Sequence, residues 1–428
     1  MSSQRLLNSL LEMQEDKVDI IIFGASGFTG QYVVAEVLRD PSCTVALAGR
    51  NESLIRKKNS NQENLSRCKF IEADAKDDAS LENMCSQGRV LINCVGPFRF
   101  YGESVVRACI KTGCDYVDIC GEPEFLESIY VKYHEEAASR GVYIVGSCGF
   151  DSIPADIGLK FTRDAFDGKL TSCECFIKVD TGSEGYKINY ATYQSAIWGF
   201  ANSHRLARLR KGVQSIIYFG PRCPSRGKYF VNSSDDSYYI PFLGADRSVV
   251  QRTQRWVQKN TKRLPVRFSP YMYIGSFTNL VIFLTFSMMF GLLSKFSVGR
   301  FLLETFPRFF TFGYVSTKGP SKSQINSTSA ILTFSGVGYK ESSVQVPKPD
   351  YKIITRLSMP DPGYLGTSIL VVEAALTLTR CRKSFRERGG VFTPGSIFDD
   401  TDIIDRLSDK GIHFEVLSTG PISSSQKI

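Results

Sequence analysis

Histidine and paired cysteine motifs are scarce in this chain of 428 residues, which has only three histidines. A histidine-based metal centre or a Ser-His-Asp triad therefore has few side chains to draw on. The twelve cysteines are scattered, and spacings such as Cys109-x4-Cys114 and Cys173-x-Cys175 lack the repeated C-x2-C pattern of zinc sites. We therefore predict that the chain holds no metal.

The sequence also lacks a secretory leader and any long run of one charge. Its first 19 residues include only a short amphipathic stretch, so the unpaired cysteines indicate an intracellular, reducing compartment and not secretion. The net charge of +9 favours an anionic partner, such as a phosphorylated cofactor or an acidic membrane face, but is too small to indicate nucleic acid. With 43% hydrophobic residues, the composition is that of a globular protein, and a length of 428 residues predicts two domains or one enlarged domain.

A glycine-rich turn follows the first β-like run. Residues 18–23 are rich in β-branched side chains, and a helix-like stretch at 31–38 follows the turn. A strand, a G-x-x-G-x-x-G turn and a helix in this order predict a dinucleotide site with the pyrophosphate at the helix N-terminus. A turn without a ligand is the alternative. The predicted cofactor-loop residues are Gly24, Ser26, Gly27, Phe28, Thr29 and Gly30.

The second predicted strand, 44–48, ends at Gly49-Arg50. An acidic residue at this position would bind the ribose hydroxyl of NAD, whereas a guanidinium suits a 2′-phosphate. Arg50 therefore favours NADP(H) over NAD(H). The lysines at 57 and 58 fit equally well on a solvated helix face.

Further strands are predicted at 69–73, 90–94, 116–119 and 142–146, with helical segments between them. This alternation predicts an α/β fold whose first domain is a Rossmann-type, doubly wound parallel sheet. Ligands bind at the carboxyl ends of such strands, which places Asp74 near the adenine and Asn93, Gly96 and Pro97 near the nicotinamide. Asp74 has an alternative role as a helix cap beside Asp77.

Several strand-end motifs resemble the saccharopine dehydrogenase family. They are GASGFTG after the first strand, GR after the second, NCVGP after the fourth, Y-x-D-x-x-GE after the fifth and CGFDSIPAD after the sixth. The likeness covers nearly the whole chain and is strongest to a eukaryotic branch of the family. It implies an NAD(P)-dependent oxidoreductase in which the glycine loop, Arg50, Asn93 and Gly96-Pro97 contact the cofactor. Bacterial members act as trans-acting enoyl reductases in glycolipid synthesis, and the eukaryotic branch is linked with lipid droplets and membranes. The resemblance therefore implies a lipid substrate.

The catalytic residues are less well defined than the cofactor loop. Tyr101, Cys148, Asp151 and Ser152 are candidates because they lie at strand ends, where a proton donor for hydride transfer would stand. Asp151 and Ser152 have an alternative role as N-caps of the helix that begins near Pro154. For Cys148 the alternative is a small buried residue under the cofactor.

A second, α+β domain is predicted to close over the nicotinamide. The expected divisions are an N-terminal extension at 1–17, the cofactor domain at 18–160, the α+β domain at 161–365, a segment packing back on the first domain at 366–420, and a tail at 421–428. Within the second part we expect strands at 173–179 and 189–193, a helix at 194–211 and a surface loop at 218–239. Residues 414–418 are expected to add a final strand.

An apolar segment at 268–314 is the most unusual feature of the second domain. Residues 268–294 carry no charge, and thirteen of the twenty residues at 274–293 are Ile, Leu, Val, Phe or Met. That length can cross a hydrocarbon core, but Pro307 and Arg308 interrupt the second half, which favours a hairpin dipping into one leaflet or a lipid-droplet monolayer. A buried helix between domains or at a homodimer interface is the alternative. Mitochondrial and endoplasmic reticulum membranes are further locations.

These observations together predict an NADP(H)-dependent reductase acting on a lipid-like C=C or carbonyl substrate at a membrane or lipid-droplet surface. One alternative is saccharopine or imine reduction, which needs several cationic side chains for the substrate carboxylates. Another is a lipid-droplet surface protein that keeps the cofactor fold without turnover.

Overall fold

The computed structural model describes residues 17–220, 226–340 and 348–422. The strands are β1 (Val18–Phe23), β2 (Val45–Gly49), β3 (Lys69–Glu72), β4 (Gly88–Asn93), β5 (Asp115–Asp118), β6 (Tyr143–Val145), β7 (Lys169–Asp180), β8 (Ile188–Asn189), β9 (Phe230–Asn232), β10 (Ser237–Pro241), β11 (Arg267–Gly275), β12 (Val315–Ser316), β13 (Ser329–Tyr339), β14 (Tyr351–Pro360), β15 (Gly390–Phe392) and β16 (His413–Pro421).

The helices alternate with the strands in the first part of the chain and cluster around residues 277–310 in the second. They are α1 (Phe28–Val37), α2 (Glu52–Lys58), α3 (Asp78–Ser86), α4 (Phe98–Thr112), α5 (Pro123–Arg140), α6 (Ile153–Asp164), α7 (Tyr190–Ala201), α8 (Ser203–Leu209), α9 (Asp246–Asn260), α10 (Phe277–Lys295), α11 (Ser297–Thr305), α12 (Pro307–Phe310), α13 (Lys322–Ser327), α14 (Leu365–Arg380), α15 (Pro394–Ile397) and α16 (Ile403–Asp409).

The first sheet, sheet A, has the order β15-β6-β5-β4-β1-β2-β3 and is parallel throughout. Its inner strand β1 is apolar on both faces, and Ile20, Ile21 and Ile22 are fully buried between the two helical layers. The chain reverses its winding direction between β1 and β4, so a crevice opens at the carboxyl ends of these strands. The predicted α/β, Rossmann-type fold is confirmed.

The second sheet, sheet B, has the order β16-β14-β13-β7-β11-β10-β9. Strands β7 and β11 are parallel, and the other pairs are antiparallel. Helix α6 joins the sheets and packs against β13, where the ring of Phe334 fills the space beside Gly158. The predicted second domain of mixed α+β type is thus confirmed.

The carboxyl-terminal part of the chain is shared between the two sheets. Helix α14 packs against α1, β4 and β5, and β15 extends sheet A beside β6. Strand β16 instead joins sheet B, where it satisfies the hydrogen-bonding edge of β14. The expectation that all of residues 366–420 pack on the first domain is therefore wrong for this last strand. Pro421, in the predicted tail at 421–428, belongs to β16. Residues 1–16 of the predicted extension at 1–17 and residues 423–428 of the tail lie outside the described residues.

Three local predictions for the second domain are wrong. Residues 189–193 do not form a strand beyond Asn189, because the Asn189 side chain accepts a hydrogen bond from the Ala191 N–H and starts α7. The helical segment expected at 194–211 is two helices that meet at Asn202. The surface loop expected at 218–239 contains β9 and the start of β10.

Candidate cofactor site

The glycine loop between β1 and α1 forms a cradle that other residues would fill. Gly24 has a φ of +90°, and a Cβ at this position would lie 2.9 Å from Val95 Cγ2. A Cβ at Gly30 would lie 2.2 Å from the Gly24 carbonyl oxygen, so α1 begins directly against the loop. Because these glycines lack side chains, the loop packs directly against α1, and a pyrophosphate could reach the N-terminus of this helix.

The electrostatics of this turn favour an anion. The first N–H groups of a helix have no partner within the helix, and the first turn of α1 carries no acidic residue. The buried Asn59 supports the loop from behind, since its Nδ2 donates to the Ala25 carbonyl oxygen at 3.0 Å. Its Oδ1 has no hydrogen-bond partner among the described residues. The loop therefore fits a dinucleotide, for which Ser26, Phe28 and Thr29 would supply the backbone contacts.

Arg50 follows β2 and is exposed at the carboxyl edge of sheet A. Within the described residues it has no ion-pair partner, whereas its neighbour Arg56 pairs with Glu52 at 2.7 Å and stacks on the Phe70 ring. Of these two arginines, Arg50 is thus the one available to a 2′-phosphate.

Asp74 lies just after β3 but does not cap the following helix. Its Oδ1 accepts from the Lys76 N–H, while Asp77 supplies the cap of α3 by accepting from Ala79 and Ser80. The capping alternative for Asp74 is therefore wrong, and its contact with adenine stays a prediction.

Asn93, at the end of β4, is fully buried, and its side chain hydrogen bonds within the protein. Its Oδ1 accepts from the Val95 N–H at 2.9 Å, and its Nδ2 donates to the Tyr116 hydroxyl at 3.2 Å. Tyr116 in turn donates to Asp118, whose other oxygen accepts from the Ser147 N–H at 2.7 Å. This network fixes the ends of β4, β5 and β6. Asn93 therefore orients the loop that leads to Gly96-Pro97.

A buried ion pair connects the Gly96-Pro97 loop to the residues that follow β5. Glu122 accepts from the Phe98 N–H at 3.0 Å and from Arg99 Nε at 2.7 Å, and both charged side chains are less than a tenth exposed. Arg99 also donates to Glu124 and to the Trp198 carbonyl oxygen. The Gly96-Pro97 peptide is cis and immediately precedes α4. The predicted nicotinamide-side loop is thus held on one side by a buried ion pair.

Three of the four catalytic candidates lie in one buried turn after β6. Cys148 is fully buried, its Sγ lies 3.3 Å from the Val145 carbonyl oxygen, and burial raises the pKa of its thiol, which keeps it protonated. Ser152 stands at the N-cap position of α6 but makes no capping hydrogen bond; its hydroxyl accepts from Ser147 Oγ at 3.1 Å. Tyr101 lies apart from this turn, half-buried on α4.

Asp151 joins the two domains through a carboxyl pair. Its Oδ1 accepts from the Ala245 N–H at 3.0 Å, and its side chain hydrogen bonds to Asp246 at the start of α9. Burial raises the pKa of both carboxyls, and their proximity raises that of Asp246 further, so the pair holds a proton. Asp151 is therefore not the cap of α6, and a catalytic role for it stays a prediction.

The second domain contacts the glycine loop directly. The Tyr364 ring packs edge-on against Phe28 with 4.8 Å between centroids, and a Cβ on Gly319 would lie 2.7 Å from the same Phe28 ring. Asp361 is fully buried below them and accepts from the Tyr364 and Leu365 N–H groups. The predicted cofactor loop is thus closed by residues that lie more than 280 positions away in the chain.

Helix α7 connects the cofactor edge to the apolar segment. Its Ser195 hydroxyl donates to Glu122 at 3.1 Å, and its Trp198 Nε1 donates to Glu304 on α11 at 2.8 Å. Tyr193 and Ile197, on the same helix, pack with Phe290 of α10 in a small hydrophobic cluster. The apolar helices therefore rest on an element that touches the predicted nicotinamide loop.

Helix α10 is apolar and long enough to cross a membrane by length and composition. Both ends of the apolar segment, however, return to the same sheet, since β11 before it and β13 after it are the two neighbours of β7. Many of its apolar side chains face outward, with Met288 74% and Phe312 85% exposed. The alternative of a helix buried between the domains is therefore wrong for α10.

Sequence reasoning missed Asn59, Asp118, Glu122, Tyr364 and Asp246. The Y-x-D-x-x-GE motif contained the signal for Asp118 and Glu122, because both close the fifth strand. No sequence pattern places Asn59 and Tyr364 at the glycine loop or Asp246 beside Asp151. Among the described residues no group of three or more histidine, cysteine or acidic side chains could hold a metal ion, and the absence of a metal stays a prediction.

The parallel sheet and the glycine cradle are features of a Rossmann-type cofactor domain. Residues 20–145 match the family model described as the saccharopine dehydrogenase NADP binding domain, which makes this protein an NADP-binding oxidoreductase. When bound, this cofactor supplies or accepts a hydride. The chain belongs to the saccharopine dehydrogenase-like oxidoreductases, being 41% identical to the mouse protein of that name over 94% of this chain and 98% of the relative. The family and the preference for NADP(H) predicted from the sequence are confirmed.

Two further likenesses extend over almost the whole chain. A nematode (Caenorhabditis elegans) protein named "Lipid droplet localized protein" is 34% identical over 94% of this chain and 99% of its own. The structure of apo saccharopine dehydrogenase (L-Glu forming) from Saccharomyces cerevisiae has a TM-score of 0.56 at 14% identity, covering 94% of this chain and 100% of that one. The latter shows that the two proteins share a fold.

Proposed function

We propose that this protein is an NADPH-dependent reductase of a lipid-like C=C or carbonyl compound that it takes up at a lipid surface, on a membrane or a lipid droplet. The observation that carries the proposal is the position of α7, which touches Glu122 beside the predicted nicotinamide loop and supports the outward-facing apolar helices. An acceptor dissolved in lipid would reach the cofactor edge along this helix.

Features of the cofactor site support reduction with NADPH. The cradle of Gly24, Gly27 and Gly30 would accommodate a pyrophosphate, and Arg50, which is exposed and has no ion-pair partner in the described part of the chain, would bind the 2′-phosphate. Burial raises the pKa of the carboxyl pair formed by Asp151, in the turn after β6, and Asp246, at the start of α9, and so favours the protonated form of this pair. Either this pair or a phenol such as Tyr101 would deliver the proton that reduction requires.

The lipid environment is supported by the outer face of α10–α12 and by the name of the nematode relative. Imine reduction on a dicarboxylate is less well supported, because it needs free cations near the nicotinamide. Arg99, the arginine nearest to that loop in sequence, is already paired with Glu122 and Glu124.

The experiment is a titration of the purified full chain with NADPH and NADH by calorimetry, followed by an assay of NADPH oxidation with lipid enals and enoyl esters in phospholipid-coated emulsions. We expect NADPH to bind more tightly than NADH and to be consumed only when a lipid acceptor is present. Gly27→Trp, which blocks the cradle, should abolish binding, and Arg50→Glu should weaken NADPH selectively.

Each other result points to a different function. Oxidation of NADPH by a water-soluble imine in the absence of lipid would replace the proposal with imine reduction. Binding of NADPH without turnover on any lipid would favour a lipid-surface protein that has kept only its cofactor.

A further inference from the structure

The outward face of α10 carries an apolar stripe at helical spacing. Phe277, Val281, Leu284, Met288 and Leu292 recur every three or four residues, and all are exposed. A helix facing water would place polar residues on this side. The opposite face of α10 packs against α7. The exposed stripe therefore takes no part in the contact that holds α10 to α7.

Aromatic side chains continue this surface beyond α10. Exposed phenylalanines lie just before α11, within α11, within α12 and on both sides of α12. They are Phe296, Phe301, Phe306, Phe309 and Phe312. Helix α11 packs against both α10 and α12, and we name the stripe on α10 together with these five rings the apolar ridge.

The charges around the apolar ridge are unequal. Residues 268–314 contain three basic side chains, Lys295, Arg300 and Arg308, and a single acidic one, Glu304. Glu304 turns inward, where it accepts from Trp198 and Gln194. Lys295 and Arg308 are exposed beside the phenylalanines and have no ion-pair partner among the described residues. The side of the ridge that faces outward is therefore apolar and positively charged.

The topology excludes a single crossing of a bilayer. A helix that spanned the bilayer would leave its two ends on opposite sides, yet β11 and β13 flank β7 in the same sheet. The segment must therefore enter and leave on one side. An apolar surface of rings with basic residues at its border matches the interfacial arrangement of proteins that lie in one leaflet.

We propose that the apolar ridge inserts into a single phospholipid leaflet and that Lys295 and Arg308 bind anionic headgroups there. This inference deepens the proposed function, because it specifies the lipid surface on which the reductase works. The charge imbalance selects an anionic surface over a neutral one, and the phenylalanines supply the apolar contact that a purely electrostatic association lacks. Near an acidic leaflet each basic residue raises partitioning about fivefold, so the two together contribute about 20- to 30-fold.

The experiment is co-sedimentation of the full chain with vesicles of phosphatidylcholine alone or of phosphatidylcholine with one part in five phosphatidylserine. We expect stronger binding to the anionic vesicles by about 20- to 30-fold, with most of this difference lost at high salt because exposed charges are screened. Lys295→Glu with Arg308→Glu should remove the preference. The matched control, Lys69→Glu with Lys383→Glu, changes two exposed lysines of the first and carboxyl-terminal parts and should leave it unchanged.

A second pair of substitutions tests insertion separately from charge. Phe309→Ser with Phe312→Ser should weaken binding to both kinds of vesicle, since these rings are 76% and 85% exposed and their loss leaves no cavity in the core. Circular dichroism and an unchanged NADPH affinity would establish that the variants are folded.

Three outcomes would overturn the inference. They are equal binding to neutral and anionic vesicles, no effect of the phenylalanine substitutions, and a homodimer in solution that covers the apolar ridge and leaves no vesicle binding. In each case NADPH titration distinguishes this failure from a failure of the cofactor assignment, because the cradle and the ridge are tested by different ligands.

Discussion

The buried ion pair of Arg99 and Glu122 gives the sharpest test of how the predicted nicotinamide loop is held. The two side chains are 8% and 3% exposed, and their closest atoms are 2.7 Å apart. Removing one member of a buried pair costs about 3–5 kcal/mol, because the other charge is left without compensation. Arg99→Met leaves Glu122 with the backbone N–H groups of residues 98 and 99 and the Ser195 hydroxyl as donors among the described residues. None of these donors carries a charge, so the full cost is expected.

Glu122→Gln should cost less, about 2–3 kcal/mol, because Arg99 keeps Glu124 at 3.0 Å and a glutamine oxygen can still accept from the loop. The double variant, Arg99→Met with Glu122→Gln, should be less destabilised than the sum of the single variants, since neither charge is then left unpaired. Urea unfolding followed by circular dichroism measures all three, with Glu136→Gln as the control. Glu136 pairs with Arg140 on an exposed helix face, and the loss of this ion pair should cost less than about 0.5 kcal/mol.

The reasoning would be refuted if Arg99→Met cost no more than the control or if the two single effects were additive. Either result would mean that the pair is solvated in solution and does not fix the loop. A structural role limited to stability would also leave NADPH affinity unchanged in Glu122→Gln once the protein is folded. We expect NADPH affinity to fall several-fold, because the Gly96-Pro97 loop loses its anchor.

Three further predictions concern the cofactor cradle, the cofactor preference and the pH dependence of stability. Gly30→Ala should abolish NADPH binding and destabilise the fold, because its Cβ would lie 2.2 Å from a backbone oxygen. The control Gly199→Ala, with open space around it, should add about 0.5–1 kcal/mol of stability. Equal effects of the two substitutions in urea unfolding would contradict the close packing of the cradle. Arg50→Glu should raise the Kd for NADPH at least tenfold while leaving that for NADH unchanged, and calorimetry showing equal changes would remove the 2′-phosphate assignment. Burial raises the pKa of Asp118 from 3.8 to about 6, so the folded state binds this proton more tightly than the unfolded state, and stability is lost as pH rises through that interval. Between pH 5 and 7.5, the free energy of unfolding of Asp118→Asn should fall by about 1–1.5 kcal/mol less than that of the natural protein. Parallel pH profiles of the two proteins would show that Asp118 does not contribute.

The cofactor domain could be predicted from the sequence because its signals are local. The run at 18–23, the glycines after it and the residue after β2 lie within about thirty positions, and each is placed by backbone geometry alone. Asp118 and Glu122 were within reach for the same reason, since they close a recognisable strand. The strand expected at 189–193 failed because its aromatic residues fit a strand as well as a helix, and the cap on Asn189 decided for the helix.

The remainder of the site depends on contacts that no local pattern contains. Tyr364 reaches Phe28, and Asp246 reaches Asp151, only because α6 and α14 bring sheet B against the carboxyl edge of sheet A. The edge position of β16 could not be predicted either, because any strand with an open edge could have accepted it. Such contacts join residues that are far apart in the chain and are decided by tertiary packing. Neither residue of such a pair lies in a local sequence pattern that indicates the other.

Helix α7 makes the apolar segment relevant to the cofactor. An apolar ridge on a separate stalk would serve only to anchor the protein, and its loss would leave soluble turnover intact. Here the same short helix donates to Glu122 through Ser195, to Glu304 through Trp198, and packs on α10 through Ile197. A shift of the ridge on entering lipid would therefore be transmitted to the loop at Gly96-Pro97 by contacts already in place. The proposed lipid surface and the predicted nicotinamide edge would then lie on two sides of one helical layer, which is the arrangement that an enzyme needs when its acceptor stays in lipid and its cofactor stays in water.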